Sequence, residues 1–196
     1  LKYAGFDAVV ITGRAESPVY LWITDATCEI RDAKDLWVLG IRAAEDEIRR
    51  AHGDPGIRVA GIGAAGENGL RGACVIVDRS RAAGRGGAGY AMGQKNLKAL
   101  AVLGSGEIRL ADDGAFQDAA ARCMKKIADS PTIQVYREGG SMRFAGAGGP
   151  DGTFPQAVRN YRNEYWPPEK SRRIYETTLK EDYEVRRMGC FHCPIN

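Results

Sequence analysis

Short runs of β-branched and aromatic residues open the chain at Ala8 to Thr12, Val19 to Thr24 and Cys28 to Arg31, separated by Gly13-Arg-Ala-Glu-Ser-Pro18 and Asp25-Ala-Thr27. Such runs between turn-forming residues predict strands, here an antiparallel meander. From Ile41 to His52 the apolar residues Ile41, Ala44 and Ile48 recur at helical spacing among charges, and Gly53-Asp-Pro55 ends the pattern. That spacing predicts one surface helix. Ile57 to Ile62, Cys74 to Val77 and Leu97 to Leu103 return to strand character. After Gly104-Ser-Gly106 the period changes: Phe116, Ala119, Ala120, Cys123, Met124 and Ile127 share one helical face, with Asp112 or Asp113 available as its cap. Pro131 and the glycines from Gly139 to Gly152 close that segment, and a charged, tyrosine-containing stretch from Ala157 to Met188 is broken by Pro167-Pro168. The pattern predicts an α+β fold: a β-sheet-rich first part, then the start of a helical part, with a boundary near residues 104 to 112.

Composition narrows the function classes. Of 196 residues, 44% are hydrophobic and 27% charged, enough apolar material for a sizeable core, which argues against disorder. The longest apolar run, Ala99 to Leu103, is far below the ~20 residues of a membrane-spanning helix, and the start lacks a signal-peptide pattern. A cytoplasmic protein without a membrane partner is expected. The formal charge of +3 gives no reason to expect nucleic acid unless the cations cluster. They cluster once. From Arg79 to Lys98 the basic residues Arg79, Arg81, Arg85, Lys95 and Lys98 occur with no acidic residue, interleaved with Gly84, Gly86, Gly87, Gly89 and Gly93. Glycine lets backbone N–H groups close on an anion and arginine binds phosphate through two parallel hydrogen bonds, so a phosphorylated cofactor fits this segment. A tight loop with solvated charges fits it too.

Gly84-Arg-Gly-Gly-Ala-Gly89 has dinucleotide-loop spacing, but six residues separate it from the strand ending at Val77, so the match is read as chance. No Gly-Lys pair is followed by Ser or Thr, which excludes a Walker A loop. Upstream, Glu67 and Asn68 in Gly61-Ile-Gly-Ala-Ala-Gly-Glu-Asn-Gly69 are either ligands or turn formers, and turn chemistry is the simpler account.

The five cysteines argue against a disulfide framework and leave Cys190-Phe-His-Cys193-Pro as the informative pair. A c-type haem site needs His where Pro194 stands, and a zinc site needs further ligands, of which His192 is one candidate. A redox pair needs a preceding strand, whereas an iron–sulfur cluster suits a Cys-x-x-Cys next to Pro with further Cys beyond. The cluster ranks first. Cys28, Cys74 and Cys123 are expected to be small core residues, and His52 to be a favourable charge at its helix end.

Leu1-Lys-Tyr-Ala-Gly-Phe-Asp-Ala-Val-Val, Gly61-Ile-Gly-Ala-Ala-Gly-Glu-Asn, Arg81-Ala-Ala-Gly-Arg-Gly-Gly-Ala-Gly-Tyr-Ala-Met-Gly-Gln-Lys-Asn and Gly189-Cys-Phe-His-Cys-Pro-Ile together resemble the aldehyde ferredoxin oxidoreductase family of tungsten enzymes. The resemblance implies a tungsten or molybdenum bis-pterin cofactor, a nearby 4Fe-4S cluster and an N-terminal domain of two β-sheets on which the cofactor lies. It implies that residues 1–108 belong to that pterin-binding domain and that 109–196 begin a helical, cluster-binding domain. Arg81, Gly84 and Arg85 would approach the pterins and their phosphates, and the Ala82 carbonyl would bind the magnesium ion linking them. Cys190 and Cys193 match the first two cluster ligands, with a third expected beyond Asn196. Ala64, Gln94 and Asn196 stand where the family commonly has Pro, Ser and Gly, which leaves the branch open.

The implied reaction oxidises aldehydes to carboxylates and passes electrons to ferredoxin or an electron-transfer subunit, in a homodimer or hetero-oligomer. Reduction of an aromatic acyl-CoA and a non-catalytic iron–sulfur or zinc module are the rivals. The sequence, beginning at Leu1 and ending within a ligand motif, reads as an internal piece, expected to be inactive alone and to contain no assignable catalytic residue.

Overall fold

A computed structural model describes residues 1–140, 158–163, 167–186, 188–190 and 193–195. The chain divides into two compact units, Leu1–Arg109 and Leu110–Asn196. The first holds strands β1 (Val19–Ile23), β2 (Cys28–Asp32), β3 (Arg58–Gly61), β4 (Val75–Val77), β5 (Arg81–Ala83) and β6 (Leu97–Val102) and helices α1 (Ile41–His52), α2 (Ala64–Glu67) and α3 (Ala88–Gln94). The second holds α4 (Asp113–Ala128), α5 (Pro131–Gly139), α6 (Pro168–Ser171) and α7 (Glu176–Asp182). The fold class is α+β, as the pattern predicts. Among the described residues the strands form one sheet, in the order β2-β1-β6-β3-β4-β5.

The sheet is mixed. β1 and β2 form the expected antiparallel pair, but β1 lies parallel to β6, while β3 is antiparallel to both β6 and β4, and β4 to β5. Ala8 to Thr12 joins no strand, so the expected three-strand meander reduces to a hairpin. Val9 and Ile11 are nonetheless partly buried against the sheet, which accounts for the apolar pattern that suggested a strand.

Side-chain alternation divides the core into two layers. Tyr20, Trp22, Val59, Ala99 and Ala101 pack with Ile48 of α1, whereas Leu21, Ile23 and Leu97 pack with Ala4 and, at the margin, Met92 of α3. Leu97 and Ala99 would share a face by strict alternation. They do not, because Val19 pairs with Leu97 while Tyr20 pairs with Ala99, so Lys98 is an extra residue in a bulge.

Helix α1 runs over the predicted residues and stops at Gly53, whose φ of 71° lets its N–H reach the Arg49 and Arg50 carbonyls. Helix α4 is capped by the Asp112 side chain, which accepts from the Ala115 N–H at 2.9 Å.

Expectations for three single residues are corrected. Cys28 and Cys123 are exposed rather than core, because β2 buries none of its five residues and α4 buries none of its sixteen. Cys74 is half-buried. The His52 ring stacks on Trp22 with centroids 3.8 Å apart, and its Nε2 lies 3.0 Å from the Tyr20 hydroxyl. Burial, seconded by the Arg31 charge, pushes its pKa below the ordinary value of 6.5, so it packs as a neutral ring and is no helix-end cation. Because the unfolded chain binds the proton more readily, stability is fully present above about pH 6.5 and falls as pH drops through the folded-state pKa. Denaturation between pH 7 and pH 5 should show this slope, and His52→Phe should flatten it.

Candidate functional site

The sequence from Val77 to Gln94 folds as hairpin, turn and helix. Asp78 and Arg79 both adopt left-handed backbone conformations, with φ of 45° and 68°, and Ser80 N–H returns to the Val77 carbonyl at 3.2 Å. This tight turn brings Arg81, Ala82 and Ala83 opposite Val77, Ile76 and Val75. Asp tolerates such a conformation because its short side chain can bond nearby backbone: Asp78 Oδ1 accepts from the Val59 N–H at 3.3 Å. Arg81 to Ala83 was legible as part of a glycine and arginine segment but not as a strand. β5 ends the sheet order, so one side of its backbone has no strand partner among the described residues.

The cluster of five cations resolves into two groups. Arg79 pairs with Asp46 and lies 3.9 Å from Glu45. Glu45 itself is wholly buried against Arg49 at 2.6 Å; burial raises its carboxyl pKa, against the opposing pull of Arg49 and then Arg79. Lys95 donates from Nζ to the Gly13 carbonyl at 2.9 Å. Lys98, re-aimed by the bulge, is 0% exposed and paired with Glu67, itself 3% exposed, and donates to the Leu39 carbonyl at 2.8 Å. These three cations are engaged in structure. Arg81 is half-buried and Arg85 exposed, and Arg85 has no hydrogen-bond or ionic partner among the described residues.

Glu67 and Asn68 take the turn-forming alternative. The second Glu67 oxygen accepts from the Val38 N–H at 3.1 Å, and Asn68 Nδ2 donates to the Ala64 carbonyl at 2.9 Å. Val38 is held at φ 69°, a costly conformation for a β-branched residue, so the Glu67 contact anchors strained backbone as well as a buried cation. Removing one member leaves the other charge buried alone, so Lys98→Met is expected to cost about 3–5 kcal/mol. Lys98→Met with Glu67→Gln should recover part of that, because no lone charge remains. Denaturant midpoints of the single and double variants check both.

The glycines also separate into two kinds. A Cβ at Gly89 would stand 2.5 Å from the Cys74 carbonyl and one at Gly66 would stand 2.9 Å from the Gly89 carbonyl, so these residues let α2, α3 and the Ala73–Cys74 backbone touch. A Cβ at Gly84 would meet nothing within 4 Å. Between two arginines, the chain presents an open, unbranched backbone position that its own packing does not require. The surroundings suit an anionic group: guanidinium groups flank the position in sequence and no carboxylate occurs from Arg79 to Lys98.

In the second unit, the Cys193 N–H returns to the Cys190 carbonyl at 3.1 Å, so the two cysteines sit on one tight turn as free thiols. Two thiols on such a turn are suited to one soft metal centre and supply half of a four-thiolate set. Among the described residues no group of three or more His, Cys, Asp or Glu side chains gathers to hold a metal. His192, the neighbour considered as a zinc ligand, lies outside the described residues.

Residues 1–104 match the family described as aldehyde ferredoxin oxidoreductase, N-terminal domain. The chain belongs to the aldehyde ferredoxin oxidoreductase family. It is 37% identical over 204 residues to the tungsten-containing aldehyde ferredoxin oxidoreductase of Pyrococcus furiosus and 35% identical over 201 residues to that of Thermococcus kodakarensis, in each case across 100% of this chain and 32% of the relative. The chain thus spans about a third of the length of the curated relatives it matches. The active-site complex BamBC of benzoyl coenzyme A reductase with 1,5-dienoyl-CoA has the same fold at a TM-score of 0.78 and 27% identity, covering 98% of this chain and 31% of that one. No helix among the described residues is long and apolar enough to cross a membrane.

Proposed function

We propose that this chain forms part of a tungsten-dependent, cytoplasmic oxidoreductase that converts aldehydes to carboxylates and delivers the electrons through a 4Fe-4S cluster to ferredoxin or an electron-transfer subunit. The observation that carries the reading is the 37% identity to a tungsten aldehyde ferredoxin oxidoreductase across the entire chain. When bound, the tungsten–pterin group and the cluster would supply the two-electron chemistry and the one-electron exit.

The chain's own part is binding and electrostatics. Arg81 and Arg85 would hold the anionic arms of the cofactor, Gly84 would let the backbone come close, and the Ala82 carbonyl on β5 would bind the magnesium ion between the phosphates. Cys190 and Cys193 would supply two cluster thiolates. The domain assignment follows: residues 1–108 as cofactor base and 109–196 as the start of the cluster-binding domain.

Reduction of an aromatic acyl-CoA is the second reading, favoured by the likeness to the benzoyl coenzyme A reductase complex. Elemental analysis of the intact protein, purified without oxygen from cells given tungstate and molybdate, tests the cofactor. About one tungsten or molybdenum and about four irons per chain are expected. Iron or zinc alone would overturn the pterin reading and leave a metal-binding module. Turnover of aldehydes against aromatic acyl-CoA thioesters then separates the two enzymatic readings.

A further inference from the structure

The Cys190–Cys193 turn does not stand alone in its unit. From α5, Arg137 Nη2 donates to the Pro194 carbonyl at 2.8 Å and Nε donates to the Ile195 carbonyl at 3.2 Å. One guanidinium therefore holds the two residues that follow the second cysteine. Pro194 has no N–H of its own and cannot donate the next hydrogen bond after Cys193, and a side chain from outside the segment donates to its carbonyls. The end of α5 is itself fixed: Lys180 of α7 donates from Nζ to the Glu138 carbonyl at 2.7 Å. On the other side of the turn, Met188 lines a cavity of about 520 Å³ together with Arg137, Glu138 and Val185. The residues flanking both cysteines thus adjoin the last turn of α5.

The partners of Arg137 matter as much as their distances. Arg186 pairs with Glu184 at 2.5 Å and Lys125 with Asp129 at 2.8 Å, so those cations are offset locally. Arg137 donates to two neutral carbonyls and has no carboxylate partner among the described residues. Among the described residues its positive charge is not compensated, and it is brought to a segment whose thiols become anionic on binding metal.

We propose that Arg137 is a positioning residue for the Cys190–Cys193 metal turn, and that its charge raises the reduction potential of the cluster held there. The proposal rests on the cluster reading above. Two hydrogen bonds from a planar fork fix the turn in a way one ammonium cannot, and a nearby positive charge favours the more negative, reduced cluster.

The test uses the intact protein loaded with its metals, comparing Arg137→Lys, Arg137→Gln and Arg137→Met. Loss of iron to a chelator should be faster in Arg137→Met than in wild type, by up to the roughly 10–100-fold that losing a direct outer partner of a metal ligand costs. In an EPR-monitored redox titration, Arg137→Gln and Arg137→Met should shift the cluster midpoint to lower potential, while Arg137→Lys, which keeps the charge, should stay near wild type. A merely structural arginine would not separate Lys from Gln in this way. Wild-type iron retention in Arg137→Met overturns the positioning role, and equal midpoints in Lys, Gln and Met variants overturn the charge effect. Cys190→Ala, run alongside, should lose cluster iron. Iron indifferent to Cys190→Ala would overturn the cluster reading, and the role of Arg137 with it. Iron that depends on Cys190 but ignores Arg137 would overturn the role of Arg137 alone.

Discussion

Gly93→Ala is expected to destabilise the first unit by roughly 3–5 kcal/mol, a large share of the 5–15 kcal/mol typical of a domain. The reason is backbone on backbone. A Cβ at Gly93 would overlap the carbonyl of Gly66, and neither group is the movable end of a side chain. Relief requires α3 to lift from α2, and α3 cannot lift freely because Gly89 is already seated on the Ala73 and Cys74 carbonyls. Asn96 N–H, bonded to the Gly93 carbonyl at 3.0 Å, and the start of β6 would move with it. Gly84→Ala is the matched comparison. Its Cβ would enter open space, so its stability should stay within about 0.5 kcal/mol of wild type. Guanidinium denaturation of both variants in the intact protein checks the contrast, and equal midpoints would refute the packing account.

These two glycines also mark where the sequence was readable and where it was not. Helix α1 could be bounded to the residue, because its apolar spacing is regular and Gly53 supplies a left-handed stop. The cap at Asp112 was equally local. Helix α3 was missed because Ala-Gly-Tyr-Ala-Met-Gly-Gln contains two glycines, each worth about 1 kcal/mol against a helix, and the contacts that repay them come from distant segments, Gly93 against Gly66 of α2 and Gly89 against the Ala73–Cys74 backbone. The parallel pairing of β1 with β6 spans most of the unit and leaves no local trace. Ala8 to Thr12 was misread for the opposite reason, since its apolar residues bury without a ladder.

The candidate site shows the same division. Composition identified a cationic, glycine-rich segment, but composition counts charges without knowing their partners. Lys98 looked equivalent to Arg85 until the bulge turned it toward Glu67, and Arg79 until the Asp78–Arg79 turn brought it beside Asp46. The subtraction sharpens the site, leaving the arginines on either side of Ala82-Ala-Gly84.

Arg85→Ala is accordingly expected to weaken cofactor binding by the intact protein about 10–100-fold, and so to lower its tungsten and pterin content, while leaving its fold unchanged. One charge-assisted guanidinium–phosphate interaction is worth about 1.5–3 kcal/mol, and 1.4 kcal/mol is a factor of ten in affinity. Arg85 is the sharper probe of the pair: it is exposed and partnerless among the described residues, so its loss removes no contact that holds the sheet. Arg81 also interacts within the chain, so Arg81→Ala should lower both tungsten content and stability, and Arg81→Lys should restore the charge without the planar fork. Arg79→Ala and Lys95→Ala provide the control, since their cations are directed to Asp46 and to the Gly13 carbonyl. Tungsten by elemental analysis, pterin released on denaturation and circular dichroism read the three consequences separately. Tungsten unchanged in Arg85→Ala, with pterin also unchanged, would remove this segment from the cofactor site; tungsten lost equally in all four alanine variants would show that positive charge in general, rather than this pair of arginines, holds the anion.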